Sequence, residues 1–462
     1  MHTLTRFFLG TAAAALLHVT GVSAQTSLTG DWAGTLGPLD FTAHLTDPAT
    51  GPRTATLDIP AQHANGLVMQ FTAPADSVYL RLRQPAAQFA GRRSADGQRL
   101  EGEWQQGLRS FPLTLSRAAA GAAKPAAAPR PQTPQPPFPY QSAEVTFKNK
   151  KAGITLAGTY TVPADMGPFP AVVLLTGSGP EDRNETILGH QPFAVLADYL
   201  TRHGIAVLRF DDRGVGQSGG TLAGTTSADY TTDAQAALAW LRAQPGIRKN
   251  QVGLIGHSQG GTAAIGAAIQ PAGPDFLVLM ASPALPGDEL IVQQSLALAR
   301  LQTSDATQLA TTEKLQRAMT QIVQQNPDNA QARTKLLAYY NGINPQLAAQ
   351  VEPQLAMLTS PDYRHLLADR PAQTLAKVKC PVLALGGSKD RQVPAAANLA
   401  ATTAGLKTAS NRDVTTKELP GLNHLFQTAP TGSPAEYGTI EETFAPSALA
   451  VIGDWIVLHT QK

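Results

Sequence analysis

The spacing of hydrophobic residues changes twice along this chain. Between residues 27 and 117 apolar and polar residues alternate in short runs: TATLDI at 54–59, SVYLRLR at 77–83, RLEGEW at 99–104 and SFPLTLSR at 110–117. A period of two puts the apolar residues on one face of a strand. Turn formers separate the runs, among them Asp47-Pro48, Ala64-Asn65-Gly66 and Asp96-Gly97. Short strands with such turns predict a small antiparallel all-β barrel or sandwich over residues 25–117. Trp32, after a Gly-Asp turn, and Trp104, in a similar context, read as core packing.

From residue 142 onward the pattern is different. Continuous apolar runs occur at 144–149, 154–161, 171–176, 205–210, 252–256, 276–281, 381–386 and 414–419, with helical spacing at 190–203 and 226–244. Alternation of strand and helix predicts a mostly parallel sheet covered on both faces. The first two runs have no helix between them and should pair as an antiparallel hairpin, giving eight strands. Residues 284–376 are rich in Gln, Ala and Leu and helical in spacing, with starts near Asp305 and Asn326-Pro327. So long a block between two strands is not a connection but an inserted helical cap.

The stretch between the two patterns, 118–141, is mostly proline and alanine. Proline fixes φ and removes a backbone donor, so this reads as an extended, semi-rigid tether. At the N-terminus, Arg6, the apolar run FFLGTAAAALL and the small residues Val22-Ser23-Ala24 form the pattern of a signal peptide over residues 1–24. The expected location is periplasmic or secreted. No later run is apolar for the roughly 18 residues that a spanning helix needs, so stable membrane insertion is not expected. The net charge of +2 gives no footprint for nucleic acid. The single cysteine, Cys380, excludes an intramolecular disulfide framework and Cys-rich metal sites. It opens the run CPVLAL and reads as core.

The chemistry centres on QVGLIGHSQGGTAAIGAAI, 251–269, where an apolar strand runs into Gly256-His257-Ser258-Gln259-Gly260 and then an Ala-rich helix. This is G-x-S-x-G in the strand–turn–helix context that presents a nucleophilic serine, here Ser258. A second match, Gly216-Gln217-Ser218-Gly219-Gly220, is followed by a loop and reads as a glycine-rich turn. A serine hydroxyl needs an imidazole to take its proton and a carboxylate to orient that imidazole. His365, His424 and His459 follow Ser258. His424, in a loop just after the last strand, is the candidate base; His365 lies in the cap and His459 on the terminal helix. Asp390, after the strand PVLALGG, is the candidate acid, since Asp369 falls in the cap and Asp413 precedes a strand. The oxyanion hole needs two backbone N–H donors. Gln259 supplies one, and the loop Thr176–Pro180 the other, through Ser178 or, next, Gly179. His257 reads as structural. Glu181, Asp182 and Arg183 read as a salt-bridged loop, and Asp211, Asp212 and Arg213 as bracing the turn after the fourth strand.

Five segments in order, LLTGSGPEDRNET, RFDDRGVGQSGG, GLIGHSQGG, CPVLALGGSKDRQVP and GLNHLFQ, resemble the α/β-hydrolase superfamily. Together they resemble its exported bacterial two-domain carboxylesterases, many of them serine-aminopeptidase-like, which carry a small N-terminal β-domain and a helical cap. The resemblance implies hydrolysis of short-chain carboxylic esters by Ser258, Asp390 and His424 and a lipocalin-like barrel for 25–117. Thr176 stands where many members of the wider superfamily carry histidine.

The leading expectation is therefore a carboxylesterase acting through an acyl-enzyme on Ser258, with a small-molecule ester substrate and no metal or organic cofactor. Self-association into a homo-oligomer is left open. A peptidase or amidase with the same three residues is the nearest alternative. It would need a carboxylate for the substrate amine, which Glu181, Asp182 or Asp362 could supply. A lipid- or glycan-binding protein with an inactive hydrolase domain is the alternative from another class.

Overall fold

The computed structural model describes residues 27–461, apart from 37–38, 49–50, 60–63, 75, 83–86, 107–108, 119–129 and 223. The expected signal peptide and most of the alanine-rich half of the tether lie outside the described residues.

Eight strands form the N-terminal unit: β1 (Gly30–Leu36), β2 (Leu39–Thr46), β3 (Thr54–Ile59), β4 (Ala64–Thr72), β5 (Ser77–Leu82), β6 (Ala87–Arg93), β7 (Arg99–Gln106) and β8 (Arg109–Arg117). Each pairs antiparallel with the next, and β1 closes on β8, so the unit is a closed barrel. Alternate residues point inward around Trp32, Phe89, Leu100 and Trp104, all buried. Trp32 donates its indole N–H to Leu28 O at 2.8 Å, and Trp104 meets Phe41 edge-on. Both tryptophans are thus core. One turn expectation is corrected: Ala64-Asn65-Gly66 opens β4, because the β3–β4 ladder shifts register between Leu57 and Ile59 and pairs Ile59 with Ala64.

The second sheet contains β9 (Tyr140–Asn149), β10 (Ile154–Pro163), β11 (Phe169–Leu175), β12 (Ala206–Phe210), β13 (Ile247–His257), β14 (Leu277–Met280), β15 (Val382–Gly387) and β16 (Val414–Leu419). Their spatial order is β16-β15-β14-β13-β11-β12-β10-β9. The hairpin β9–β10 and the β10–β12 pair are antiparallel, and the other pairs are parallel. This is the α/β-hydrolase sheet that the resemblance implies.

Its strands read as unbroken apolar runs because both faces are covered. Ala171, Val173 and Leu175 join one core with α2 (Ser227–Arg242), α3 (Gln259–Ala268) and α11 (Ala395–Thr408). Val172 and Leu174 face the other core, with α1 (Pro192–Arg202) and α12 (Pro446–Thr460). The chain order reverses between β11 and β13: β12 follows β11 on one side, and β13 returns to the other. Loops from the carboxyl ends of those strands diverge there, leaving a crevice.

Between β14 and β15 the cap runs through α4 (Gly287–Ala299), α5 (Ala306–Gln325), α6 (Asn329–Ile343), α7 (Pro345–Val351), α8 (Leu355–Leu358), α9 (Pro361–Ala368) and α10 (Pro371–Leu375). It has its own core around Val323, Leu336, Leu358 and Leu367. Side-chain caps set the helix starts: Asp305 accepts from the N–H groups of Thr307 and Gln308, and Asp328 from that of Gln331.

The C-terminal end of the proline-rich stretch, expected to be an extended, semi-rigid tether, is also docked through its side chains. Arg130 donates to the carbonyls of Ile440 (2.7 Å), Leu188 (2.9 Å) and Gly438 (2.9 Å). Gln132 accepts from the N–H groups of Thr443 and Phe444 and donates to Phe444 O. Proline removes donors only from its own backbone, so side chains between prolines can still fasten the chain to exposed carbonyls. Arg130→Ala should therefore lower the unfolding free energy of the full chain by about 1–3 kcal/mol in urea titrations. An unchanged midpoint would show that the docking contributes nothing.

Candidate active site

Ser258 sits between β13 and α3 with φ +50° and ψ −119°, a conformation that side-chain-bearing residues rarely adopt. Such strain costs on the order of 1–3 kcal/mol and persists only where the surroundings enforce it. Here they do. A Cβ on Gly256 would lie 2.4 Å from Gly260 O, and one on Gly260 would lie 2.2 Å from Leu175 O. The strand, the turn and the first helical turn are thus pressed against the end of β11. Ser258 N–H donates to Met280 O at 2.8 Å, anchoring the turn to β14. The side chain is left at the carboxyl edge of the sheet, at the N-terminus of α3, where the helix favours negative charge.

Asp390 and His424 reach the same place from the loops after β15 and β16. His424 Nδ1 and Asp390 Oδ2 are 2.8 Å apart, and both side chains are buried. The other carboxylate oxygen accepts from the N–H groups of Gln392 and Val393, each at 2.8 Å, which fixes the carboxylate's rotation. The two loops are joined through their backbones: Lys389 N–H donates to Leu422 O, and Gly421 N–H to Ser388 Oγ. Asn423, fully buried, accepts from the N–H groups of Leu425 and Gln427 and so shapes the loop around His424. With Nδ1 engaged by Asp390, Nε2 is the nitrogen available to a serine hydroxyl.

Ser178, Gly179, Ser258, Gln259 and His424 line one cavity of about 590 Å³, whose other walls come from the cap, Ser227, Thr262, Gln392 and Val393. The sequence-named residues for nucleophile, base and oxyanion hole are therefore brought together, with Asp390 directly behind the base. The cap side is largely apolar and includes Leu285, Leu290, Ile291, Met357 and Leu366. Among the described residues no cluster of His, Cys, Asp and Glu could hold a metal ion.

A second histidine–carboxylate pair lies behind the first. His257 Nδ1 is 2.7 Å from Glu185 Oε1, and its Nε2 is 2.9 Å from the backbone oxygen of His424. Both partners are acceptors, so the ring donates from both nitrogens, as an imidazolium does. Burial alone would lower the His257 pKa, but the Glu185 carboxylate outweighs it and raises the pKa to about 9. Glu185 Oε1 also accepts from Gly177 N–H at 2.8 Å. One carboxylate thus ties the oxyanion loop, the residue before the nucleophile and the backbone of the base. His257 is structural, as expected; its partner Glu185 was not singled out in the sequence. Glu185 has φ +52° in an irregular loop, where no periodic signal marks it.

The other expected polar groups divide. Arg183 pairs with Asp211 and Glu144, and Asp182 holds the N–H groups of Asn184 and Thr186, so these form the salt-bridged loop foreseen. Glu181 does not join it. Its carboxyl lies beside Gly179, and burial, with the nearby carboxylates of Glu185 and Asp212, raises its pKa to about 8. Arg213 braces α2 through Asp229 and Asp233. Asp212 reaches beyond its own turn: it accepts from Thr176 Oγ1 and Glu181 N–H, and burial raises its pKa to about 7. Ser218 is buried and donates to Asp211 O, as a turn residue. His365 and Asp369 line the cap side of the cavity, whereas His459 stacks on Trp455. The side chain of Asp362 lies outside the described residues. Cys380 is half-buried, and burial pushes its thiol up to about 12, which suits a packing role.

These shifts fix a sign. Glu181, Asp212 and His257 all hold protons more tightly in the folded chain than in the unfolded one, so their contribution is present at low pH and is lost as pH rises through about 8, 7 and 9 respectively. His190, lowered to about 4 first by burial, acts oppositely and only below its ordinary 6.5. The melting temperature should therefore fall between about pH 6.5 and 9 in calorimetry, with a shallower fall in Glu181→Gln. A melting temperature that rises over this range would contradict the assignment.

The sequence pattern of the family described as X-Pro dipeptidyl-peptidase (S15 family) matches residues 152–405. Esterase EstD of Thermotoga maritima is 33% identical over 155 residues, 32% of this chain and 36% of that protein, so the likeness spans about a third of that relative. Similar solved structures include Est1E of Butyrivibrio proteoclasticus with bound ferulic acid, 16% identical, covering 69% of this chain and 100% of that one with a TM-score of 0.42. A proline iminopeptidase of Mycobacterium smegmatis is 19% identical, covering 69% of this chain and 98% of that one with a TM-score of 0.43.

Proposed function

The chain belongs to the X-Pro dipeptidyl-peptidase (S15) family of hydrolases, and from that premise we propose that it is a serine carboxylesterase acting on short-chain acyl esters. The observation that carries this reading is the meeting of the strained Ser258 with the Asp390–His424 pair at the mouth of a cavity whose cap side is mostly apolar. Ser258 Oγ attacks the ester carbonyl while His424 Nε2 accepts its proton. Asp390 holds the ring in the correct tautomer and stabilises the imidazolium. The N–H groups of Gln259 and Ser178 take the developing oxyanion, and Gly177 N–H is unavailable because it is bonded to Glu185. The alcohol leaves with the proton from His424. A water, deprotonated by the same nitrogen, then releases the acid. The leader pattern in residues 1–24 extends the proposal to export, into the periplasm or out of the cell.

Preference for esters rests on the acids near Ser258. A peptidase that reads a free amine needs an ionised carboxylate in the cavity, whereas Glu181 is not among the residues that line it and burial raises its pKa to about 8. Asp369 favours the second reading. It lines the cap side of the cavity, where it could receive an amine, although burial raises its pKa as well.

Ser258→Ala should remove at least about three decades of p-nitrophenyl ester turnover and abolish labelling by a fluorophosphonate. Retained turnover, or labelling elsewhere, would contradict the nucleophile, and an unlabelled wild-type protein would favour a binding role. Acetyl and butyryl esters should be turned over faster than long-chain esters, and p-nitrophenyl esters faster than aminoacyl p-nitroanilides. Faster anilide turnover, with loss in Asp369→Asn, would establish the peptidase reading instead.

A further inference from the structure

A second cavity, of about 290 Å³, lies away from Ser258, where the docked end of the proline-rich stretch crosses the edge of the sheet. It is lined by Pro134 and Phe138, by residues of β9, β10 and β12, by the loop before α1 and by the first turn of α1. The proposed reaction uses none of these residues.

Arg209 lines the cavity. Its Nε donates to Asn184 Oδ1 at 2.9 Å, and among the described residues it forms no ion pair. Its neighbour Arg183 is fully engaged: Nε and one terminal nitrogen bind Asp211 at 3.0 and 2.8 Å, and the other binds Glu144. Glu144, which also lines the cavity, is held by Arg183 and Thr159. Arg209 is thus a half-buried cation with no carboxylate in direct contact among the described residues, and burial lowers its pKa to about 10 against the opposing influence of Tyr140, Glu144 and Asp182. Among the described residues only its Nε has a hydrogen-bond partner, so the terminal N–H groups of the guanidinium are left to meet an anion in the cavity.

Two further features point the same way. Gln191 and Ala194, at the start of the eleven-residue helix α1, line the cavity. No side chain caps this helix at Gln191, and Ala194 N–H, in its first turn, has no acceptor within the helix. The helix end therefore adds partial positive charge and a donor. Phe138 and Tyr140 stack face to face at 5.2 Å and 8°, an aromatic wall of the same pocket. The tether segment 119–129, AAGAAKPAAAP, contains no acidic side chain that could occupy the site from within the chain.

We propose that this cavity binds a small organic carboxylate, whose carboxylate group lies on the Arg209 guanidinium and the start of α1 and whose apolar body lies against Phe138 and Tyr140. A guanidinium matches a carboxylate as a two-point fork, and the aromatic wall distinguishes an organic acid from an inorganic oxyanion. The volume suits a ligand the size of an aromatic acid.

The test is calorimetric titration of the full chain with benzoate, benzamide and inorganic phosphate as probes. Benzoate should bind with a dissociation constant of about 1 mM, and benzamide, the same shape without the charge, at least about tenfold more weakly. Arg209→Gln, checked by an unchanged melting temperature, should weaken benzoate at least about tenfold. If that variant does not fold, Phe138→Ala, at a half-buried surface position, takes its place and should weaken benzoate while leaving ester turnover unchanged. Benzoate binding that survives the variant undiminished, benzamide binding equal to benzoate, or phosphate binding without benzoate would each overturn the proposal.

Discussion

The close approach of backbone at Gly256 and Gly260 is the constraint on which the rest of the site depends. No side chain fits at either position, so the end of β13, the first turn of α3 and the end of β11 are pressed together and Ser258 is driven to a positive φ. That conformation is unfavourable for a serine in isolation. It is held because parallel sheet neighbours fix both flanking segments: β11 and β14 pair with β13 on its two sides, and Met280 O receives the Ser258 N–H. The same compression puts the loop after β11, with Ser178 and Gly179, on the cavity that Ser258 opens into.

Two buried histidine–carboxylate pairs then set the parts around the serine. Asp390 and His424 come from adjacent loops that share backbone hydrogen bonds, so their contact does not depend on flexible side chains finding one another. Behind them Glu185 and His257 join the oxyanion loop to the backbone of His424. Buried pairs of this kind gain little net stability over apolar packing, because desolvation offsets the attraction. Their value here is geometric: each carboxylate is bonded both to a ring nitrogen and to backbone, Asp390 through two N–H groups and Glu185 through that of Gly177.

Most of this was legible in the sequence where the signal was contiguous or followed from strand order. The G-x-S-x-G segment carries its own strand and helix, and Asp390 and His424 each follow an apolar run directly. Sheet, cap and barrel were also legible, because periods of two and 3.6 are properties of the residues themselves. Glu185 was not, since it enters through a left-handed residue in a loop without a period. Asp212 was read as bracing its own turn because adjacency in space, not in sequence, puts it beside Thr176: β11 and β12 are parallel neighbours whose carboxyl ends lie together. Arg130 and Gln132 were hidden for another reason. Proline content predicts the path of the backbone but not what the side chains between the prolines fasten to.

The proposed chemistry passes through one covalent species, an acyl group on Ser258 Oγ. Rapid acid quench of the wild-type chain during turnover of a p-nitrophenyl ester, followed by peptide mass spectrometry, observes that species directly. The account predicts an added acyl mass confined to the peptide that contains Ser258, accumulating with the first burst of p-nitrophenol. Turnover with no acylated peptide, or with the acyl group on a different residue, would contradict it.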